Sequence, residues 1–391
     1  MSERIDLSYV VPVRWRDGAQ REELAEYLAR IAPLVAEVIV VDGSDPEVFA
    51  ANAAAWGEHA RHLPPKEGEE WLMGKVAGVR TGVEQASRER VVIADDDVRY
   101  EPEALRRAAE LLESHDLVRP QNYFSRLPWH ARWDTARTLL NRSVGRDYPG
   151  TLAVRRSRML AMGMYDGDVL FENLELMRTV RAHGGTVASP LDLYVARVPP
   201  SAGHFWGQRT RQAYDDFALP LRMALWLAVV PLLLLDRWRA HADGTKTGPP
   251  NRKSSRRRRL GRWRLGLAQA GAAVAVGVAE VGRRRAGGAA YFPATSSLLA
   301  PVWILERGVC AWLAVLQRLR FGGVRYGDSV IPVAAHSERQ LRRRLAARAS
   351  EGEEAGTWRQ WSPGSNAAPP PTSTGSKTPA STGTSSRPTT A

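Results

Sequence analysis

Residues 7–13 (LSYVVPV), 37–41 (EVIVV) and 90–94 (RVVIA) are short apolar, β-branched runs, each ending where polar or glycine-containing sequence begins. Such runs read as buried strands. Between them, 18–36 and 74–87 carry apolar residues at three- and four-residue spacing, and 102–114 opens on Pro102, suited to a first helical turn. Strand alternating with helix predicts an α/β fold with a parallel sheet covered by helices. Ligands of such sheets sit beyond the carboxyl ends of the strands, where Asp42 and the run Asp95, Asp96, Asp97 fall. The stretch 149–198 continues the pattern with a strand-like GTLAV, an acidic cluster from Asp166 to Glu175, a helix through LELMRTVRAHGG and a final strand. It is expected to form the acceptor side.

Three apolar stretches follow. Residues 217–235 run for 19 residues broken only by Arg222, close to the length that crosses a bilayer. Residues 265–281 are short and rich in Ala and Gly, and 298–316 hold Glu306 and Arg307 near their centre, where charge is costly in lipid. The last two read as membrane-associated helices or, alternatively, as a helical subdomain. A single crossing would put the basic segment 237–264 outside, against the positive-inside rule, so Pro220 and Pro231 favour a re-entrant or interfacial first segment.

The chain has 391 residues and a net charge of +13. Residues 237–264 concentrate that excess, with eleven Lys or Arg against Asp243 alone, so a specific nucleic-acid partner is not expected. This segment suits anionic headgroups, or else a solvated linker or a nonspecific nucleic-acid patch. The one cysteine, Cys310, excludes an internal disulfide, and the N-terminus lacks the apolar run of a secretory signal. The expected location is therefore the cell membrane, with the catalytic part on the cytoplasmic side. From residue 350 the chain turns to Ser, Thr, Pro, Gly and Ala, a composition expected to remain disordered.

The sharpest chemical signal is VVIADDDVRY, a buried strand running directly into three carboxylates, which repel one another unless a cation is present. Residues i and i+2 of an extended segment point the same way, so Asp95 and Asp97 can face one ion while Asp96 points elsewhere, as a candidate donor-binding group. Hard oxygen ligands suit Mg²⁺ or Mn²⁺ held together with a substrate diphosphate. The other reading is an acidic turn leading into Pro102. Asp42 ends its strand in a DGSDPE turn and can accept hydrogen bonds from a base or ribose, or simply form the turn. Lys75, near a helix start, can reach a phosphate or, as the more ordinary reading, sit at the surface.

Taken in order, SYVVPVR, VIVVDGSDPE, GKVAGVRTGVEQA, VVIADDD and the block from GTLAVRR to RAHGG resemble the family 2 glycosyltransferases of the GT-A fold, over about residues 7–200. The resemblance implies a Rossmann-like domain in which Asp42 contacts the nucleotide, Asp95 and Asp97 form the DXD metal site, and FENLEL supplies the catalytic base. Where that family usually has Glu-Asp, this chain has Glu172 and Asn173. Asparagine is no base, so the role passes to Glu172, with Glu175, Asp166 and Asp168 as alternatives. The segment is also similar to the Glu-Asn-x-Glu of polypeptide N-acetylgalactosaminyltransferases, which retain configuration; inversion is the expectation here, and the outcome stays open. The segment GHFWGQRTRQAYDDF is similar to the QxxRW motif of membrane-bound members, with Gln208 and Arg211 matching and Gln212 in place of Trp. There Arg209 and Arg211 are expected to compensate diphosphate charge, and Trp206, Gln208 and His204 to line the acceptor site or an interface.

The reading that follows is hexose transfer from a nucleotide-sugar to an acceptor hydroxyl, on a lipid or a cell-envelope glycan. The expected domains are 1–205 GT-A, 206–236 interfacial segment and apolar helix, 237–264 basic linker, 265–349 membrane-associated helices, and 350–391 tail. Two rivals remain. A nucleotidyl or phosphoryl transferase would need a Gly-rich loop after the first strand, where VPVRWRDGAQ has one Gly. A membrane scaffold or nucleic-acid binder working through 237–264 would leave three aspartates at a strand end unexplained.

Overall fold

The computed structural model describes residues 4–244, 269–327 and 329–351. Most of the basic segment 237–264, and the tail beyond 351, therefore lie outside the described residues. β1 (Ile5–Val13) is buried from Leu7 onward, and β2 (Val35–Asp42) from Val38 onward. β3 (Arg61–Leu63), β2, β1 and β4 (Arg90–Ala94) pair in parallel. Burial of both faces explains why these strands read as unbroken apolar runs instead of alternating ones. The helix Arg21–Ile31 covers one face with Leu24, Tyr27, Leu28 and Ile31, the spacing of one helical stripe. It is shorter than the 18–36 expected, because Val35 and Ala36 already belong to β2.

The sheet is not wholly parallel, which corrects the sequence expectation. After β5 (Val98–Arg99), β6 (Leu117–Val118) and β7 (Gln121–Phe124), the strand β8 (Thr151–Arg155) runs antiparallel to β4. It is antiparallel to β6 as well, and β6 then pairs with β9 (Val187–Ala188) to give the order β3-β2-β1-β4-β8-β6-β9. The long connection from β4 to β8 returns the chain from the opposite side, so no parallel crossover is required. A second small sheet forms where β10 (Tyr194–Arg197) lies antiparallel to β5 and parallel to β7. The helix Gly74–Gln85 lies close on β1: a Cβ added at Gly82 would run into the Val10 side chain, so only glycine allows this approach.

The C-terminal half packs onto this core as helices. Ala300–Phe321 packs against Ala202–Tyr214, Pro220–Gly244 and the earlier helix Trp129–Val144. Ala136, Leu139, Ala275, Ala279, Phe292, Ala300 and Trp303 form their shared core. The membrane expectation is overturned here: among the described residues no helix is long and apolar enough to cross a membrane. The charges that made 298–316 awkward in lipid have protein partners. Glu306 pairs with Arg209 at 2.6 Å, and Arg307 with Asp216 at 2.7 Å, all within the protein. Arg222, the interruption in 217–235, also meets Asp216 at 2.7 Å. The outer faces of the two long helices still expose Leu221, Leu234, Trp238, Val309, Leu316 and Leu319.

A final hairpin of β11 (Val324–Tyr326) and β12 (Ser329–Ile331) leads into the helix Glu338–Glu351. Its connection runs beside residues 169–171, which donate backbone hydrogen bonds from Leu170 and Phe171 to Val333 and Ala334. The C-terminal region thereby braces the entry to the helix Glu172–Ala182.

Candidate active site

The end of β4 brings the acidic run to the carboxyl edge of the sheet. Asp97 receives the Arg197 guanidinium, Nε donating at 3.0 and 3.1 Å and Nη2 at 2.6 Å. This pairing follows from register: Arg197 stands opposite Val98 across β10 and β5, and Val198 donates its N–H to the Asp97 carbonyl. The same Nη2 lies 3.7 Å from Asp95, whose other oxygen meets Lys75 Nζ at 2.5 Å. Lys75 reaches Glu172 at 2.5 Å as well, so one ammonium joins the end of β4 to the helix Glu172–Ala182. Burial works against the Lys75 charge, but the Asp95 and Glu172 carboxylates outweigh it and hold the ammonium form firmly. The balance at Arg197 is similar, with burial opposed by Asp97 and Asp95.

Asp96 turns away from these two, as the alternation predicts, and accepts a hydrogen bond from the Trp15 indole at 2.5 Å. Burial and the neighbouring Asp97 charge raise its pKa to about 6. Gly150 is the close neighbour on β8's side. Its carbonyl accepts from Asp95 N, and a Cβ there would lie 2.5 Å from Asp95 Oδ2 and 2.9 Å from Arg197 Cζ.

Asp42 is 1% exposed and its oxygens accept from Ser44 N, Asn52 Nδ2 and His62 Nε2. Burial would raise its pKa, yet these hydrogen bonds prevail and lower it. Instead of offering an open oxygen to a nucleotide, Asp42 fixes the turn 43–45 and the ring of His62, which packs on Phe49 at 4.3 Å.

Glu172 Oε1 is held by Lys75, and Oε2 accepts the Asn173 N–H at 2.8 Å. Asn173 donates its side-chain amide to the Pro149 carbonyl. Of the alternative bases, Glu175 is fully buried and accepts from both the backbone N–H and the ring of His336, at 2.7 and 2.9 Å. Asp166 accepts from Asp168 N and from Arg344, and Asp168 accepts from Leu72 N. Glu175 ties its helix to the segment at His336, while Asp166 and Asp168 are built into their own loop.

Arg209 departs from expectation. It is 2% exposed and lies between Asp134 at 2.8 Å and Glu306 at 2.6 Å. Four of its five N–H groups go to Glu306, Asp134 and Gln212, so it ties the helix Ala202–Tyr214 to Trp129–Val144 and Ala300–Phe321. Arg211 stacks on the Tyr326 ring at 4.9 Å. Gln208 contacts His204, and Trp206 is half exposed beside Trp129 and Trp133, at 6.0 and 6.2 Å between ring centres. Burial and Arg211 lower the His204 pKa, while Asp97 acts in the opposite sense, so this end of the helix Ala202–Tyr214 lies within the field of the aspartates. Arg197, Trp15 and Gly150 escaped the sequence reading, since each acts through strand register or loop approach and carries no motif.

The donor set fits a hard divalent cation: two carboxylates three positions end to end, both within reach of a single guanidinium nitrogen, so an ion in that place can be shared by both. Residues 8–165 match the model of the family described as Glycosyl transferase family 2. No curated protein matches the chain. Similar solved structures include mannosyltransferase PcManGT from Pyrobaculum calidifontis, in complex with GDP-Man and Mn²⁺, at 19% identity, covering 80% of this chain and 88% of that one with a TM-score of 0.45. Another is glucosyl-3-phosphoglycerate synthase from Mycobacterium tuberculosis, in complex with Mn²⁺, uridine-diphosphate and glucosyl-3-phosphoglycerate, at 18% identity, 51% and 74% coverage and a TM-score of 0.38. The α/β layer that carries Asp95, Asp97 and Lys75 is thus similar, over residues 8–165, to the family described as Glycosyl transferase family 2.

Proposed function

We propose that the protein transfers a hexose from a nucleoside diphosphate sugar to an acceptor hydroxyl, with Mn²⁺ or Mg²⁺ held by Asp95 and Asp97. The observation that carries this reading is the convergence of both carboxylates on one cation position at the carboxyl end of β4, inside the matched family domain. A bound divalent ion supplies Lewis-acid stabilisation of the departing diphosphate. The residues of the chain do the rest. Lys75 holds Asp95 and Glu172 in fixed relation. Glu172 takes the proton from the acceptor hydroxyl; the oxygen then forms its bond to the anomeric carbon as the bond from that carbon to the diphosphate oxygen breaks, with inversion. A glycan acceptor suits the half-exposed Trp206 and Trp129, whose flat apolar faces match the C–H faces of a sugar ring.

Asp215 is a second candidate for the base. Burial raises its pKa to about 7 against the opposing Arg307 charge, with Asp216 and then Glu172 adding to the rise. Comparing Glu172→Gln with Asp215→Asn decides between them: the variant that loses transfer while still binding nucleoside diphosphate and Mn²⁺ has lost the base. Calorimetric titration of UDP, GDP and dTDP in the presence of Mn²⁺ tests the wider reading. Binding of one of them, abolished without metal, is the expected result, and binding of none with or without metal contradicts it.

A further inference from the structure

Arg197 occupies the place that the two aspartates offer to an ion. Its Nη2 sits 2.6 Å from Asp97 and 3.7 Å from Asp95, and its Nε spans both Asp97 oxygens. A guanidinium and a divalent cation cannot share that position, because both need the same carboxylate oxygens and repel one another. Arg197 also lines an adjoining cavity together with Asn122, Thr138, Asp147 and Tyr148. That cavity, about 20 Å³, holds no more than a water, and Asp147 already accepts from Arg137, Thr138 and Asn141, so the partly exposed Arg197 has solvent as its way out.

We propose that Arg197 is an intramolecular competitor for the metal: it holds Asp95 and Asp97 together in the metal-free protein and has to leave them when the ion enters, so its strength of pairing sets the metal affinity. The inference rests on the metal-site reading given above. It follows that metal entry and release of Arg197 from the aspartates are one event, and that the pairing weakens metal binding by the same factor as the metal weakens the pairing.

The test is Mn²⁺ binding to the full-length protein, without nucleotide, followed by the loss of the free-ion spin-resonance signal. The parent, Arg197→Gln, Arg197→Lys and Asp97→Asn are compared, with circular dichroism confirming the fold. Arg197→Gln is expected to bind Mn²⁺ about tenfold more tightly than the parent, since a charge-assisted pairing no longer competes. Arg197→Lys, which keeps the charge and loses the fork, falls between them, and carries the test if the Gln variant does not fold. Equal or weaker binding by Arg197→Gln with measurable binding by the parent overturns the competitor role and leaves the metal site standing. Absence of Mn²⁺ binding from every variant, the parent included, overturns this inference, and the same titration repeated with UDP, GDP and dTDP then decides whether the metal site stands.

Discussion

Lys75 and Glu172, 97 residues apart in the chain, meet at 2.5 Å, and the same ammonium meets Asp95 at 2.5 Å. The helix Gly74–Gln85, which precedes β4, and the helix Glu172–Ala182 are thereby locked to the tip of β4. Removing the charge leaves two partly buried carboxylates facing each other without a counter-ion. Lys75→Met is expected to lower turnover about 10²-fold or more, through loss of the preorganised charge pattern. Measuring kcat and donor affinity separately checks this: a fall in kcat with folded protein is the expected outcome, and unchanged kcat contradicts the role.

Glu172→Gln keeps the shape of the side chain and its acceptance of the Asn173 N–H but removes the proton acceptor. Transfer is expected to fall about 10²- to 10⁴-fold, the usual contribution of a positioned base. Nucleoside diphosphate binding in the presence of Mn²⁺ should remain, which calorimetry reads directly.

Gly150→Ala would place a methyl group 2.5 Å from Asp95 Oδ2 and 2.9 Å from Arg197 Cζ. The clash displaces the metal-binding carboxylate, so Mn²⁺ affinity and turnover are both expected to fall, with a stability loss of about 1–3 kcal/mol from overpacking. Thermal unfolding and Mn²⁺ titration of the same variant separate the two effects.

Arg209→Ala leaves Asp134 and Glu306 without their shared partner, Asp134 inside the protein and nearly unexposed. Breaking a buried ion pair on one side costs about 3–5 kcal/mol, so the melting temperature should drop sharply. Glu306→Gln added to Arg209→Ala is expected to recover part of the loss, and an exposed, diphosphate-binding Arg209 would show no such recovery.

The pH dependence of stability reports on Asp215. Its pKa is raised to about 7 in the folded protein against about 3.9 in an unfolded chain. Below about pH 4 the group is protonated in both states and has no effect; as pH rises toward 7 the unfolded state ionises first, and the folded state loses stability. Asp215→Asn removes that dependence. Its melting temperature relative to the parent is expected to climb between pH 4 and 7.5, and a flat difference across that range contradicts the shift.

The positions of β1, β2 and β4 and the clustering of Asp95 and Asp97 were legible because buried strands impose β-branched apolar runs and end in polar turns. The antiparallel β8 was not, since GTLAV has the same composition in either direction and only its pairing with β4 fixes the sense. Arg197 was hidden for a related reason: its position opposite Val98 is a fact of register, and nothing in YVAR marks it as a partner of Asp97. The C-terminal helices misled through hydropathy. An apolar stretch carrying Glu306 and Arg307 looks the same whether its charges face lipid or buried partners, and here Arg209 and Asp216 supply those partners. Arg209 itself looked like a diphosphate ligand because sequence shows the guanidinium and not the carboxylates that claim it.

The most direct test of the account is donor turnover. UDP-, GDP- and dTDP-sugars are each supplied with Mn²⁺ or Mg²⁺ to the parent protein and to Asp95→Ala/Asp97→Ala, and release of nucleoside diphosphate is followed. Metal-dependent cleavage of one donor by the parent, lost in the double variant, is the predicted result. Cleavage that survives in the double variant, or absence of cleavage and binding of every donor by well-folded parent protein, would contradict the assignment of Asp95 and Asp97 as the centre of a glycosyltransferase.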